Sequence, residues 1–244
     1  MSPHDYRQLV RRWKALARSA GVRLQPLAKA GELPLFYIKT QALGATGGLY
    51  LSAGVHGDEP AASEALLAWA EGHAAQLREL PLLIFPCLNP WGISQNIRVD
   101  ATGLDLNRAF HIAGHPIISA VKRATAGHHF AACVHLHEDY DAEGIYLYEL
   151  ARSGDLWGQA ILSAGSRHIP RDPRKTIEGT RAKLGHIHRR AVPAQFSQTD
   201  YPEAIWLFNE HTDRAYTAET PSELALPDRI AAHLAMLREI ERHL

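Results

Sequence analysis

Cysteine is almost missing from this 244-residue chain, and the two that occur, Cys87 and Cys133, both lie in apolar runs with the pattern of buried strands. This argues against a disulfide scaffold; the pair reads as inert small core residues, which fits a cytoplasmic setting. An excess of charge of either sign is missing too, since 26 basic residues balance 26 acidic ones. Overall attraction to nucleic acid or to an anionic membrane is therefore not expected. No apolar run approaches the roughly 20 residues of a membrane span. Residues 1–20 carry charges throughout, unlike a secretory signal. Internal repeats, low-complexity tracts and linker-like stretches are absent as well.

What is present is an apolar content of 46%, enough for a sizeable core, and an alternation of helical and strand-like segments. A single α/β domain over residues 1–244 is the simplest organisation. Tyr6, Leu9, Val10, Trp13, Leu16 and Ala17 recur at helical spacing and predict an opening helix that stops near Gly21. Strands are expected at Leu35 to Ile38, Leu49 to Val55, Leu82 to Leu88 and Ala131 to Leu136. Pro60 is suited to the first position of a helix running to about Glu71, and Pro227 to the start of a closing helix.

Polar residues collect where those strands end. His56-Gly57-Asp58-Glu59 follows one strand and precedes the Pro60 helix, and Leu136-His137-Glu138 closes another. Such strand ends form the binding crevice of open α/β sheets. Two neutral histidines and a carboxylate leave tetrahedral Zn²⁺ one open position for water, which makes His56, Glu59 and His137 a candidate zinc set. His135 projects to the same side of its strand as His137 and competes for the third place; His137, nearer the strand end, is preferred. In Gly103-Leu104-Asp105-Leu106-Asn107-Arg108, Asn107 and Arg108 are donors suited to gripping a carboxylate. Zinc also needs a proton carrier. Glu219, in the largely uncharged run Tyr216 to Pro221, is the best candidate. Glu138, Asp139, Asp141 and Glu143 are nearer in sequence but read as a solvated turn.

These pieces, with Asn89-Pro90-Trp91-Gly92 and Arg98, stand in the order and rough spacing of the zinc carboxypeptidases, and the chain resembles the short bacterial members of these M14 metallopeptidases. The resemblance implies a three-layer α/β/α fold around a mixed, twisted, roughly eight-stranded sheet. It implies one zinc on His56, Glu59 and His137, with Glu219 as general base and later proton donor. Arg98 would stabilise the developing oxyanion, Asn107 and Arg108 would hold the terminal carboxylate of the substrate, and Asp105 would orient the first zinc histidine. Departures exist. Asp58 stands where the animal digestive enzymes carry arginine, His135 where small bacterial relatives often have aspartate, and the family's mobile tyrosine has only loose candidates in Tyr201 and Tyr216.

A related branch, the succinylglutamate desuccinylase and aspartoacylase group, shares the His-Gly-x-Glu opening and the Asp-Leu-Asn-Arg block. The expected substrate is therefore a small peptide, with an N-acyl amino acid as the alternative; a non-catalytic metal-binding relative is the third reading. Between Arg167 and Arg190 lie eight basic residues against only Asp172 and Glu178. That stretch is either a solvated face or a wall attracting an anionic substrate. His186 and His188 alternate within it, with no carboxylate near them in sequence to complete a second metal site.

Overall fold

The computed structural model describes residues 3–192, 196 and 200–244. The opening helix α1 (Tyr6–Ser19) is followed by a hairpin of β1 (Leu24–Ala30) and β2 (Leu33–Lys39), then by β3 (Leu49–Ala53), α2 (Pro60–Gly72), β4 (Leu82–Phe85), α3 (Pro90–Gln95) and α4 (Pro116–Thr125). The second half runs β5 (Ala132–Asp139), β6 (Tyr146–Ala151), α5 (Gly158–Gly165), a small hairpin of β7 (Thr176–Ile177) and β8 (Thr180–Arg181), β9 (His186–Arg189), α6 (Glu203–Glu210), β10 (Arg214–Pro221) and α7 (Leu226–Arg242). Proline sits in the first turn of α2, α3, α4 and α7, where its missing N–H costs nothing and its φ is already helical.

Eight strands form one mixed sheet in the order β1-β2-β4-β3-β5-β10-β6-β9, as the resemblance implied. The four central strands, β4, β3, β5 and β10, are mutually parallel, so their carboxyl ends open along one edge. Antiparallel pairing at β2 and at β6 flanks this block on either side. Alternation along each strand separates two cores. Leu49, Leu51, Val134, Leu136, Tyr216 and Ala218 face α1, α2, α5 and α7. Tyr50, Leu83, Phe85, Cys133 and Ala215 face α4 and α6. Cys87 and Cys133 are buried and unbridged. No helix among the described residues is long and apolar enough to cross a membrane.

The structure extends the strand expected at Ala131 to Leu136. His137 lies inside β5, which continues to Asp139, because β10 pairs with it through Pro221↔Asp139. Glu219, on β10, is thus on an interior strand between β5 and β6 rather than at a sheet edge.

Candidate functional site

The turn after β3 carries two of the expected ligands, and its shape depends on glycine. A Cβ on Gly57 would stand 1.9 Å from the carbonyl carbon of Gly92, so the His56–Glu59 turn can rest backbone to backbone on the turn that starts α3. Asn89, at the head of that second turn, caps α3 by accepting the Gly92 N–H at 2.8 Å. Its Nδ2 donates to the carbonyls of Arg98 and Val99 at 3.2 and 3.0 Å. The same asparagine therefore anchors the loop that delivers Arg98. The Asn-Pro-Trp-Gly run marks this turn in the sequence, but the reach of Asn89 to the carbonyls of Arg98 and Val99 has no local signal there.

Glu59 occupies the N-cap position of α2 without capping it. Its carboxylate turns toward the histidines instead: Oε1 lies 2.5 Å from His56 Nδ1 and Oε2 3.0 Å from His137 Nδ1. The capping task passes to Glu138, whose Oε1 accepts the Ala61 N–H at 2.5 Å while Oε2 pairs with Arg229. This corrects the reading of Glu138 as part of a solvated turn. Strand alternation sends it to the opposite face from His137, where it is buried against α2 and α7. Burial pushes its pKa up, and with Glu59 nearby it reaches about 7 even though Arg229 opposes the rise.

His56, Glu59 and His137 are all buried and present ligand atoms within 4.8 Å of one another. Among the described residues they are the only such group found. The donor set fits a metal ion. Glu59 Oε2 is buried and stands 3.0 Å from His137 Nδ1 without good hydrogen-bond geometry, a pair of atoms that a metal ion would satisfy. His56 Nε2 meets Asp105 Oδ1 at 3.2 Å, which turns Nδ1 toward the shared point. Burial alone would lower the pKa of His56, yet Glu59 and Asp105 raise it to about 9; positive charge is favoured at this spot. Burial lowers that of His137. Glu59 is held well below the ordinary carboxylate range by the two histidines, against the opposing effect of burial. Asp105 also accepts Arg98 Nε at 2.9 Å, and Arg98 lies 3.7 Å from Glu59.

His135 is not part of this group. It points the same way as His137 but lies deeper, with Nδ1 3.0 Å from Ser52 Oγ and 3.2 Å from Glu203 Oε2. That carboxylate also accepts the hydroxyls of Tyr50 and Ser52, so the histidine belongs to a fully buried polar knot.

Beside the triad opens a cavity of about 770 Å³, lined among others by Arg98, Asn107, Arg108, Tyr146, Tyr148 and Glu219. Glu219 is in register with His137 on β5 and with Tyr146 on β6. It is buried, and among the described residues no hydrogen bond or ion pair engages it. Burial raises its pKa well above the ordinary value, and the charges of Glu59, Asp139 and Glu178 add to the rise. Arg108 pairs with Asp200 at 3.0 Å at the cavity wall. Tyr216 faces the opposite core and stacks on Trp157, and the Tyr201 hydroxyl accepts Asn209 Nδ2 at 2.8 Å; neither lines the cavity. Tyr140, Tyr146 and Tyr148 do; the two on β6 carry no signal in the sequence, because nothing in it fixes the pairing of β6 with β10.

The basic stretch is mostly engaged elsewhere. Arg171 bonds Gln159 and Ser163, and Arg174 pairs with Asp172; Arg189 lines the cavity. His186 does meet a carboxylate, Glu149 at 2.8 Å. Since Glu149 also accepts the N–H groups of Trp157 and Gly158 at the start of α5, this pair anchors a helix.

The sequence pattern of the succinylglutamate desuccinylase/aspartoacylase catalytic domain matches residues 45–139. That segment contains the triad, Arg98, Asp105, Asn107 and Arg108, and stops short of Glu219. A comparison with curated proteins yields no match. Among solved structures, a Shewanella amazonensis protein assigned as a metallopeptidase superposes with a TM-score of 0.85 at 19% identity, over 99% of this chain and 94% of the other. A metallo-carboxypeptidase from Burkholderia cenocepacia gives 0.70 at 16% identity, over 96% and 67%. Murein-tripeptide amidase MpaA from Escherichia coli O157 gives 0.58 at 20% identity, over 89% and 90%. The chain therefore has the metallo-carboxypeptidase fold, and its segment 45–139 carries the catalytic-domain pattern of the succinylglutamate desuccinylase/aspartoacylase family.

Proposed function

We propose that this protein is a single-domain, zinc-dependent M14-type metallocarboxypeptidase, acting in the cytoplasm on the amide bond next to a free carboxylate in short peptides. The observation that carries the reading is Glu219: a buried, unengaged carboxylate in register with His137 and open to the same cavity as the triad. A surface charge would not be left in that position, because an unpaired buried carboxylate is costly.

His56 Nδ1, the Glu59 carboxylate and His137 Nδ1 are the atoms that would hold the ion. Zinc supplies Lewis acidity when bound, bringing the deprotonation of water close to pH 7 and polarising a carbonyl. Glu219 then accepts the proton of the attacking water and returns it to the departing amine; its raised pKa suits a group that must hold a proton between the two steps. Arg98, fixed through Asp105, presents guanidinium N–H groups toward the charge that develops on the carbonyl oxygen. Asn107 and Arg108 grip the free carboxylate of the substrate. Asp105 keeps His56 in the tautomer and orientation that bring Nδ1 to the ion.

The match over residues 45–139 favours one second reading, removal of an acyl group from an amino acid. Every residue role above serves it equally. Metal analysis of the purified protein, joined to hydrolysis of alanyl dipeptides and N-acetyl amino acids, tests both. Stoichiometric zinc and zinc-restorable hydrolysis are expected; the ratio of the two substrate types assigns the branch. Protein without zinc, and without activity on adding it, would leave a non-catalytic relative as the surviving reading.

A further inference from the structure

The cavity continues well past the triad, and the register of three strands measures how far. At its metal end stand His137, Glu219 and Tyr146 in one row. Two residues deeper the row is Thr217 on β10, Tyr148 on β6 and Ile187 on β9. Two residues deeper again, Ala215 pairs with Leu150, which pairs with Arg189. Four residues of strand separate Glu219 from Ala215, about 13 Å at the usual rise. All of these side chains border the cavity; His135, level with Thr217 on β5, belongs to the knot with Glu203 instead. The small residues Thr217 and Ala215 leave the floor low, and Ile205 on α6 closes one wall.

Arg189 stands at the far end of that floor. Four arginines line the cavity. Arg98 faces Asp105, Arg108 faces Asp200 and Arg229 faces Glu138. Arg189 alone has no carboxylate within ion-pair distance among the described residues. One of its terminal nitrogens donates to Thr180 Oγ1 at 2.8 Å, which steadies the side chain, and among the described residues the other N–H groups of the fork have no hydrogen-bond partner. Glu178, an acid that lines the same cavity, accepts the Tyr148 hydroxyl at 2.7 Å. A half-buried guanidinium with free donors at the end of an apolar-floored cavity is a complementary partner for a planar anion.

We propose that the inner end of the cavity is a subsite for a carboxylate at the tip of the side chain of the amino acid released by cleavage, with Arg189 as its specificity-determining residue. The proposal rests on the hydrolase reading for the word "released", but the site itself is a binding site and can be tested without turnover. With Arg108 and Asn107 holding the α-carboxylate, Arg189 on another wall of the same cavity would take the second carboxylate of an acidic residue such as glutamate.

The test compares the zinc-loaded wild type with Arg189→Gln and Arg189→Lys in two arms. Calorimetric titration with free glutamate and free glutamine reads binding alone. Hydrolysis of alanyl-glutamate against alanyl-glutamine, and of N-acetyl-glutamate against N-acetyl-glutamine, reads turnover on either branch. A charge-assisted pair predicts a wild-type preference for the acid of roughly tenfold to a hundredfold. Arg189→Gln abolishes that preference with little change on the amides, and Arg189→Lys retains part of it. A wild type that does not discriminate glutamate from glutamine overturns the proposal, as does discrimination that survives in Arg189→Gln. Should glutamate binding depend on Arg189 while none of the four substrates is cleaved, the subsite stands and the hydrolase reading falls.

Discussion

Asn107 Oδ1 accepts the backbone N–H of Glu203 at 3.0 Å, joining segments 96 positions apart in the chain. The residue at the N-cap of α6 is Pro202, which makes no side-chain cap bond; Asn107 supplies the missing acceptor from outside. With its oxygen committed, the amide can present only Nδ2 to the cavity it lines. The Glu203 side chain, meanwhile, is bound by Tyr50 and Ser52 on β3. A donor in the cavity wall is thus tied through one helix end to the core of the sheet.

Two substitutions separate these tasks. Asn107→Asp keeps an acceptor for Glu203 but replaces the donor by a charge that repels a carboxylate. Asn107→Ala removes both. The first should raise KM for substrates with a free carboxylate at least tenfold with little loss of thermal stability, and the second should also lower stability by about 1 kcal/mol. Steady-state kinetics and thermal unfolding of the two proteins decide the matter; equal KM values for wild type and Asn107→Asp would remove Asn107 from the binding role.

Glu219→Gln retains volume and loses the proton carrier. Zinc content should be unchanged, because Glu219 is not among the converging ligand atoms. Turnover should fall about a hundredfold or more. Near-normal kcat with full zinc occupancy would mean that the proton travels elsewhere.

Asp105→Ala strips His56 of the partner that fixes its ring and Arg98 of the partner on its Nε. Competition against a chelator of known affinity should show zinc binding weakened by about tenfold to a hundredfold. Unchanged zinc affinity together with full activity would leave Asp105 as a loop-forming residue that accepts the Asn107 N–H.

His233, on α7, is fully buried, with Nε2 3.0 Å from Thr220 Oγ1. Burial, helped by the proximity of His137, lowers its pKa from 6.5 to about 3. Folding therefore favours the neutral ring. Its contribution is complete above pH 6.5 and is lost as the pH falls toward 3, at about 1.4 kcal/mol per pH unit in that window. Denaturant unfolding at pH 7, 6, 5 and 4 should show a shallower fall for His233→Gln than for wild type, by about one proton's worth of slope. Parallel slopes would exclude His233 as the source.

Much of this grouping could be read from local pattern because the turns that bring His56, Glu59 and His137 together are short and their chemistry is local. Pro60 fixed the start of α2, and with it the place of His56 and Glu59 at a strand-to-helix turn; proximity to the strand end separated His137 from His135. The misreadings arose where a residue's role depends on a distant partner. Glu138 resembled a solvated acid because the vacancy it fills, the unprotected first turn of α2, arises only when Glu59 turns its own carboxylate inward. The basic run around Arg174 and Arg189 looked uniform, since charge density says nothing about which side chains have partners. The tyrosines beside Glu219 became visible through the β6–β10 register, which no short motif encodes. The hairpin strand β1 and the short β9 likewise carry too little alternation to stand out alone.

The contact between Gly57 and Gly92 sets a tolerance. With only hydrogens between the two backbones, the turn bearing His56 and Glu59 and the turn anchoring the Arg98 loop share a fixed spacing that no side chain can adjust. The spacing between the turn that carries His56 and Glu59 and the loop that carries Arg98 is thereby gauged by main chain, which does not change rotamer. Redesign of this chain has ample freedom where side chains line the cavity, and almost none at the Gly57–Gly92 contact.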